Sequence, residues 1–142
     1  MNSYVDDLHR GFETSQEVLF DLVIRASGQD PIKSEKIVRG CENEVHSIET
    51  SQGQAFIVKI GRFGALGLEQ EAWGMEACRK VGVLVSEVLL IDKAQVGGET
   101  LEAMVQTKSV GRTLREIRPE LERDVLGDVW HQMVCRASWK GG

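Results

Sequence analysis

Several features that would fix the class of this chain at once are missing from it. No apolar run approaches the roughly 20 residues that a membrane span needs. The formal net charge is -5, so the basic face that general nucleic-acid binding requires is missing as well. Neither a membrane nor a nucleic acid is therefore expected as a partner. The first ten residues carry Asp6, Asp7 and His9 and no apolar stretch, which is unlike a secretory leader. Cysteine is scarce and odd in number: Cys41, Cys78 and Cys135 lie far apart. That pattern reads as free thiols in a reducing cytoplasm rather than a disulfide framework. There is no internal repeat and no low-complexity segment.

What is present is ordinary in amount and informative in order. The 142 residues, 42% hydrophobic and 27% charged, suffice for one domain with a proper core. Thr14-Ser15-Gln16-Glu17 reads as a capping box with Thr14 at the cap. Val18, Leu19, Leu22, Val23 and Ala26 follow at helical spacing, and Gly28 can end the helix in the left-handed conformation. A polar link through Pro31 comes next. Strand patterns cover Lys36–Arg39, Val45–Glu49 and Phe56–Ile60, the last two joined by a turn at Ser51–Gln54.

Gly61 to Gly67 reads equally as a lid or as an unstructured connection. Leu68, Ala72, Met75 and Arg79 mark a helix over about Leu68–Lys80, with Gly82 to stop it. Val83–Val85 and Val88–Ile91 are strand-like, and Leu101–Gln106 is the partner strand across a Gly97-Gly98 turn. Pro119 opens a last helix whose apolar stripe is Leu121, Val125, Val129 and Met133, widened by Leu126 and Trp130. The order predicts an α+β fold: one antiparallel sheet of about five strands with one packed helix, plus an N-terminal and a C-terminal helix. The segments divide as 1–35, 36–114 and 115–142.

Lys59 is the leading functional candidate. It ends the apolar run Ala55-Phe56-Ile57-Val58, and Glu71 opens the helix about a dozen residues on. A lysine on a strand and a glutamate on the next helix are the two halves of the ion pair with which kinases hold ATP phosphates. Taken singly, each is more often a solvated surface charge, and only the pairing raises them. Cys41 reads better as a small inert side chain than as a reactive thiol. His131 and Cys135 stand four apart on the last helix, but no second pair completes a zinc site, and no metal ligand is expected.

Order and motifs together resemble the N-terminal, nucleotide-binding lobe of the aminoglycoside phosphotransferase family, which shares the protein-kinase-like fold with choline and homoserine kinases. The likeness runs from about Ile37 to Leu114. It rests on Gly40 with Glu42-Asn43-Glu44-Val45, Phe56-Ile57-Val58-Lys59, Glu69-Gln70-Glu71-Ala72, Val81–Val85, and Met104-Val105-Gln106 followed by Val110–Leu114. The resemblance implies that Lys59 pairs with the α- and β-phosphates of ATP or GTP and that Glu71 holds Lys59, with Glu69 as its rival. It implies that Gly40 to Glu44, Asn43 included, cover the phosphates. Gln106, Thr107, Lys108 and Ser109 would form the hinge that reads the purine through backbone hydrogen bonds, with Met104 near the gatekeeper position.

Two departures accompany the likeness. The phosphate loop has one glycine and two acids, and Glu42 and Glu44 are expected to point outward because a triphosphate repels carboxylates. The sequence also holds no H-x-D-x-x-x-x-N loop: His9, His46 and His131 lack the aspartate two residues on. The expectation is an N-terminal piece of a small-molecule phosphotransferase acting on a hydroxyl of an aminoglycoside-like or amino-alcohol substrate, with magnesium ligands in an absent lobe and no turnover from this chain alone. The alternatives are a non-catalytic nucleotide-binding or interaction module that seeks a partner or self-associates through the last helix, and a degenerate remnant without ligand.

Overall fold

A computed structural model describes residues 3–38, 43–62 and 67–109. Its elements run α1 (Ser3–Arg10), α2 (Gln16–Ser27), β1 (Pro31–Ile37), β2 (Asn43–Thr50), β3 (Ala55–Gly61), α3 (Leu68–Lys80), β4 (Val88–Val96) and β5 (Glu99–Thr107). The five strands form one open, fully antiparallel sheet in the order β1-β2-β3-β5-β4. The fold is thus α+β, with three helices among the described residues. None of these helices is long and apolar enough to cross a membrane. The expected last helix, with Leu121 through Cys135, lies outside the described residues, as do Gly40, Cys41 and Glu42.

Alternation along the strands decides which face meets which helix. Phe56, Val58 and Ile60 of β3 turn to one side, with Ile48 of β2, Ala103 and Val105 of β5, and Ala94 and Val96 of β4. Leu19, Leu22 and Val23 of α2 cover them and complete the core. The stripe expected from the sequence is the one that packs, but its cap is not Thr14. Ser15 is the capping residue, accepting from the Val18 N–H at 3.3 Å, because Thr14 turns toward the buried end of β2. Gly28, at φ 70°, ends the helix as expected, and its N–H donates to the Ile24 carbonyl.

Three further corrections concern extent. A short helix, α1, precedes α2; Val5, Leu8 and, just beyond its end, Phe12 mark its covered side at helical spacing, a stripe too short to stand out among Asp6, Asp7 and Arg10. The link through Pro31 is already strand β1, an edge strand with a register irregularity after Pro31, where proline is tolerated. Residues 83–87 form no strand, and Leu84 is almost wholly exposed. Gly97 and Gly98, both at positive φ, make the two-residue turn that matches the twist of β4 and β5.

The sheet's second face carries α3, which meets chiefly β4 and β5. A single helix packed on the sheet was expected to be this one. The main cover is instead α2, and α3 buries only Leu68.

Candidate functional site

Lys59 and Glu71 meet. Lys59 is on the α3 side of β3, opposite Val45 of β2 and Met104 of β5. Its ammonium donates to Glu71 Oε1. Neither side chain is fully covered: Lys59 keeps 20% and Glu71 35% of its side-chain exposure. The pair is therefore a charge-assisted contact that a ligand can still reach. Glu69, the rival for this place, is exposed and the contact is made by Glu71.

Met104 is fully buried and shares the row of Lys59, so it forms the floor beside the ammonium. Gln106 stands in the next row, opposite Ile57 of β3 and Val88 of β4. It is buried, and its Oε1 has no hydrogen-bond partner, an uncompensated cost. Ser47 lies in this row too, and Lys108 Nζ donates to its hydroxyl at 3.1 Å.

The expected hinge is partly engaged already. Gln106 and Thr107 are the end of β5 rather than a free connection. The Thr107 N–H donates to the Glu87 carbonyl at 2.9 Å, and the Lys108 N–H to Ala55 at 3.3 Å. The Thr107 hydroxyl accepts from the Glu87 N–H, and the Ser109 hydroxyl is 2.8 Å from that of Ser86. A backbone reading of a purine edge thus has to use groups other than these two amides. An open cleft of about 490 Å³ lies beside them, lined by Gly53–Phe56 and Thr107–Ser109.

Asn43 is the first residue of β2, opposite Gly61; Gly40 lies outside the described residues. Glu44 overturns its expectation. It does not point outward but into the α2 side of the sheet, fully buried. There it accepts from Arg62 at 2.9 Å and contacts His46 Nε2 at 3.0 Å. Burial pushes its carboxyl up, yet His46, Thr14 and Arg62 together outweigh that and bring it down to about 2. The Thr14 hydroxyl acts by proximity, since it makes no hydrogen bond of ordinary geometry.

Arg62 also donates to the Glu13 carbonyl and lies 5.3 Å over the Phe12 ring. The nearby Lys36 ammonium donates to the carbonyls of His9, at 2.6 Å, and Phe12. The cluster ties the segment between α1 and α2 to the sheet and keeps the Glu44 charge on the side away from Lys59.

A second carboxylate also escaped the sequence reading. Glu102 of β5 accepts from the Leu68 N–H at 2.9 Å, at the start of the helix that carries Glu71. Among the described residues no group of three or more His, Cys, Asp or Glu side chains converges as metal ligands. Comparison with protein-family models, with curated proteins and with solved structures returned no match.

Proposed function

We propose that this chain is the nucleotide-binding lobe of a kinase-like small-molecule phosphotransferase, taking ATP or GTP with magnesium. The observation that carries the reading is the contact between Lys59 on the third strand and Glu71 on the helix that follows it. That is the arrangement with which kinases orient the α- and β-phosphates. Lys59 supplies the cation, and Glu71 holds it in place so that little side-chain freedom is lost when phosphate arrives. The buried Met104 and the unpartnered Gln106 carboxamide line the same face, an apolar floor and a polar group fit for a base edge.

The acceptor would be a hydroxyl of an aminoglycoside-like or amino-alcohol compound, and the catalytic base and magnesium ligands come from outside the described residues. In that reading the 142-residue chain binds nucleotide and turns nothing over. Titration with MgATP and MgGTP tests it: micromolar to millimolar binding that Lys59→Ala weakens tenfold or more supports the lobe (about 1.4 kcal/mol per tenfold). Nucleotide affinity indifferent to Lys59→Ala contradicts it.

One observation favours a second reading, a fold without ligand. With Leu68 alone buried on α3, the ion pair has a structural task of its own. In that case Lys59→Ala loosens α3 and leaves nucleotide titrations flat in both proteins.

A further inference from the structure

The helix that carries Glu71 is fastened at its first turn by a residue from a different part of the chain. Leu68 is the first helical residue, and its N–H belongs to the group of amides that have no partner inside a helix. Gly67, at the cap position, offers no side-chain bond. The Glu102 carboxylate of β5 takes that place, with Oε2 accepting from the Leu68 N–H at 2.9 Å.

The fit depends on the missing side chain at position 67. A Cβ there would lie 2.7 Å from Glu102 Oε2 and 3.0 Å from Oε1. The glycine is not needed for its backbone, since its φ of -44° suits other residues; it is needed for the carboxylate. Glu71 closes this same turn, its N–H donating to the Gly67 carbonyl at 3.4 Å. An anion at the positive end of a helix is also electrostatically favoured. With Leu68 the single buried residue of α3, few other contacts fix the rotation and height of the helix on the sheet.

We propose that Glu102 is a positioning residue for the phosphate site: by capping the first turn of α3 it sets where Glu71 stands and so where Lys59 is held. This rests on the nucleotide reading above and extends it to a residue that touches neither phosphate nor Lys59. Gly67 is its counterpart, the space in which the carboxylate sits.

Three variants of the full chain test the assignment. Glu102→Ala removes the cap; Gly67→Ala evicts the carboxylate by displacing the end of a flexible side chain; Glu102→Gln keeps an acceptor oxygen at the same reach. Glu102→Ala and Gly67→Ala should speed amide exchange at Leu68 by about fivefold or more, the ratio that an ordinary capping bond represents, while Val58 and Val105 stay protected. Both should weaken binding of a non-hydrolysable ATP analogue by a similar factor, and Glu102→Gln should recover most of it. In a Glu71→Ala background the loss should vanish, because Glu102 acts through Glu71.

Unchanged Leu68 exchange, or an equal affinity loss with and without Glu71, overturns the proposal. Should the wild-type chain bind no analogue, the nucleotide reading falls by itself. The positioning role is then decided by the side-chain nuclear Overhauser contact between Lys59 and Glu71. Its loss in Glu102→Ala with the sheet intact supports the role, and its retention refutes it.

Discussion

The two faces of the sheet are built differently. The α2 face is closed and dry at its centre: Leu22, Val23, Ile48, Val58, Ile60, Ala103 and Val105 keep no exposure. The α3 face is sparse. Its helix buries one residue, exposes Trp73, and touches the sheet through polar contacts at Lys59 and Glu102. Even the buried charges divide this way, with the Glu44–Arg62–His46 cluster serving to join elements on the first face and Lys59–Glu71 left accessible on the second. One face is closed by apolar packing and the other is held by few buried contacts, which in the proposed reading leaves it open to a ligand, as binding surfaces commonly are.

The sharpest way to break this contrast is to cut into each face in turn. Leu22→Ala, at a position with no exposure, should cost about 2–5 kcal/mol in denaturant unfolding, as large-to-small core changes do. Glu44→Gln should cost roughly 3 kcal/mol, because it breaks the ion pair of the buried Glu44 with the part-buried Arg62; a loss well under 1 kcal/mol would mean that the cluster is solvated. The same carboxylate predicts a pH dependence. Its folded value, about 2, lies below the ordinary 4.5, so its contribution is present above pH 4.5 and is lost as the pH falls toward 2. Urea midpoints should therefore fall with acid in the wild type and fall less in Glu44→Gln.

On the α3 side the effects should be small. Lys59→Ala should change stability by about 1 kcal/mol or less, since the pair is part-exposed and screened, while abolishing or weakening nucleotide binding. Trp73→Ser should stay within about 0.5 kcal/mol. A core-sized loss from either would show that α3 is part of the stability core and would erase the contrast.

Much of this was legible in the sequence. The apolar stripe of α2, the Gly28 stop, the Gly97-Gly98 turn and the alternation of Phe56, Val58 and Ile60 each carry a periodic signal that packing reinforces. The partnership of Lys59 with Glu71 was expected from the family resemblance, with Glu69 as rival; element order alone did not choose between them. What escaped detection had too short a pattern or depended on the third dimension. The stripe of α1 is only Val5 and Leu8, continued by Phe12 beyond the helix, less than the roughly three or four apolar turns that mark a helix in sequence. The cap moved by one residue, from Thr14 to Ser15, because Thr14 is drawn toward Glu44.

Glu44 itself was misplaced because its acid character was weighed above its register. It alternates with His46 and Ile48 on one strand, as Arg62 does with Ile60 and Val58 on the next, so period two already assigned all of them to the buried face. Glu102 gave no signal, because its role exists only through a neighbour 34 residues earlier. Which helix covers the sheet was also hidden, since two amphipathic candidates compete for two faces and sequence alone does not rank them.

The central claim, that the α3 face is a nucleotide site, is tested most directly by amide chemical-shift mapping with a non-hydrolysable ATP analogue and magnesium. The account predicts saturable shifts at Val45, Ile57, Lys59, Glu71 and Gln106, with Leu22, Val23 and Ala94 unmoved, and loss of those shifts in Lys59→Ala. Shifts confined to the α2 side, or none at concentrations up to several millimolar, would contradict it.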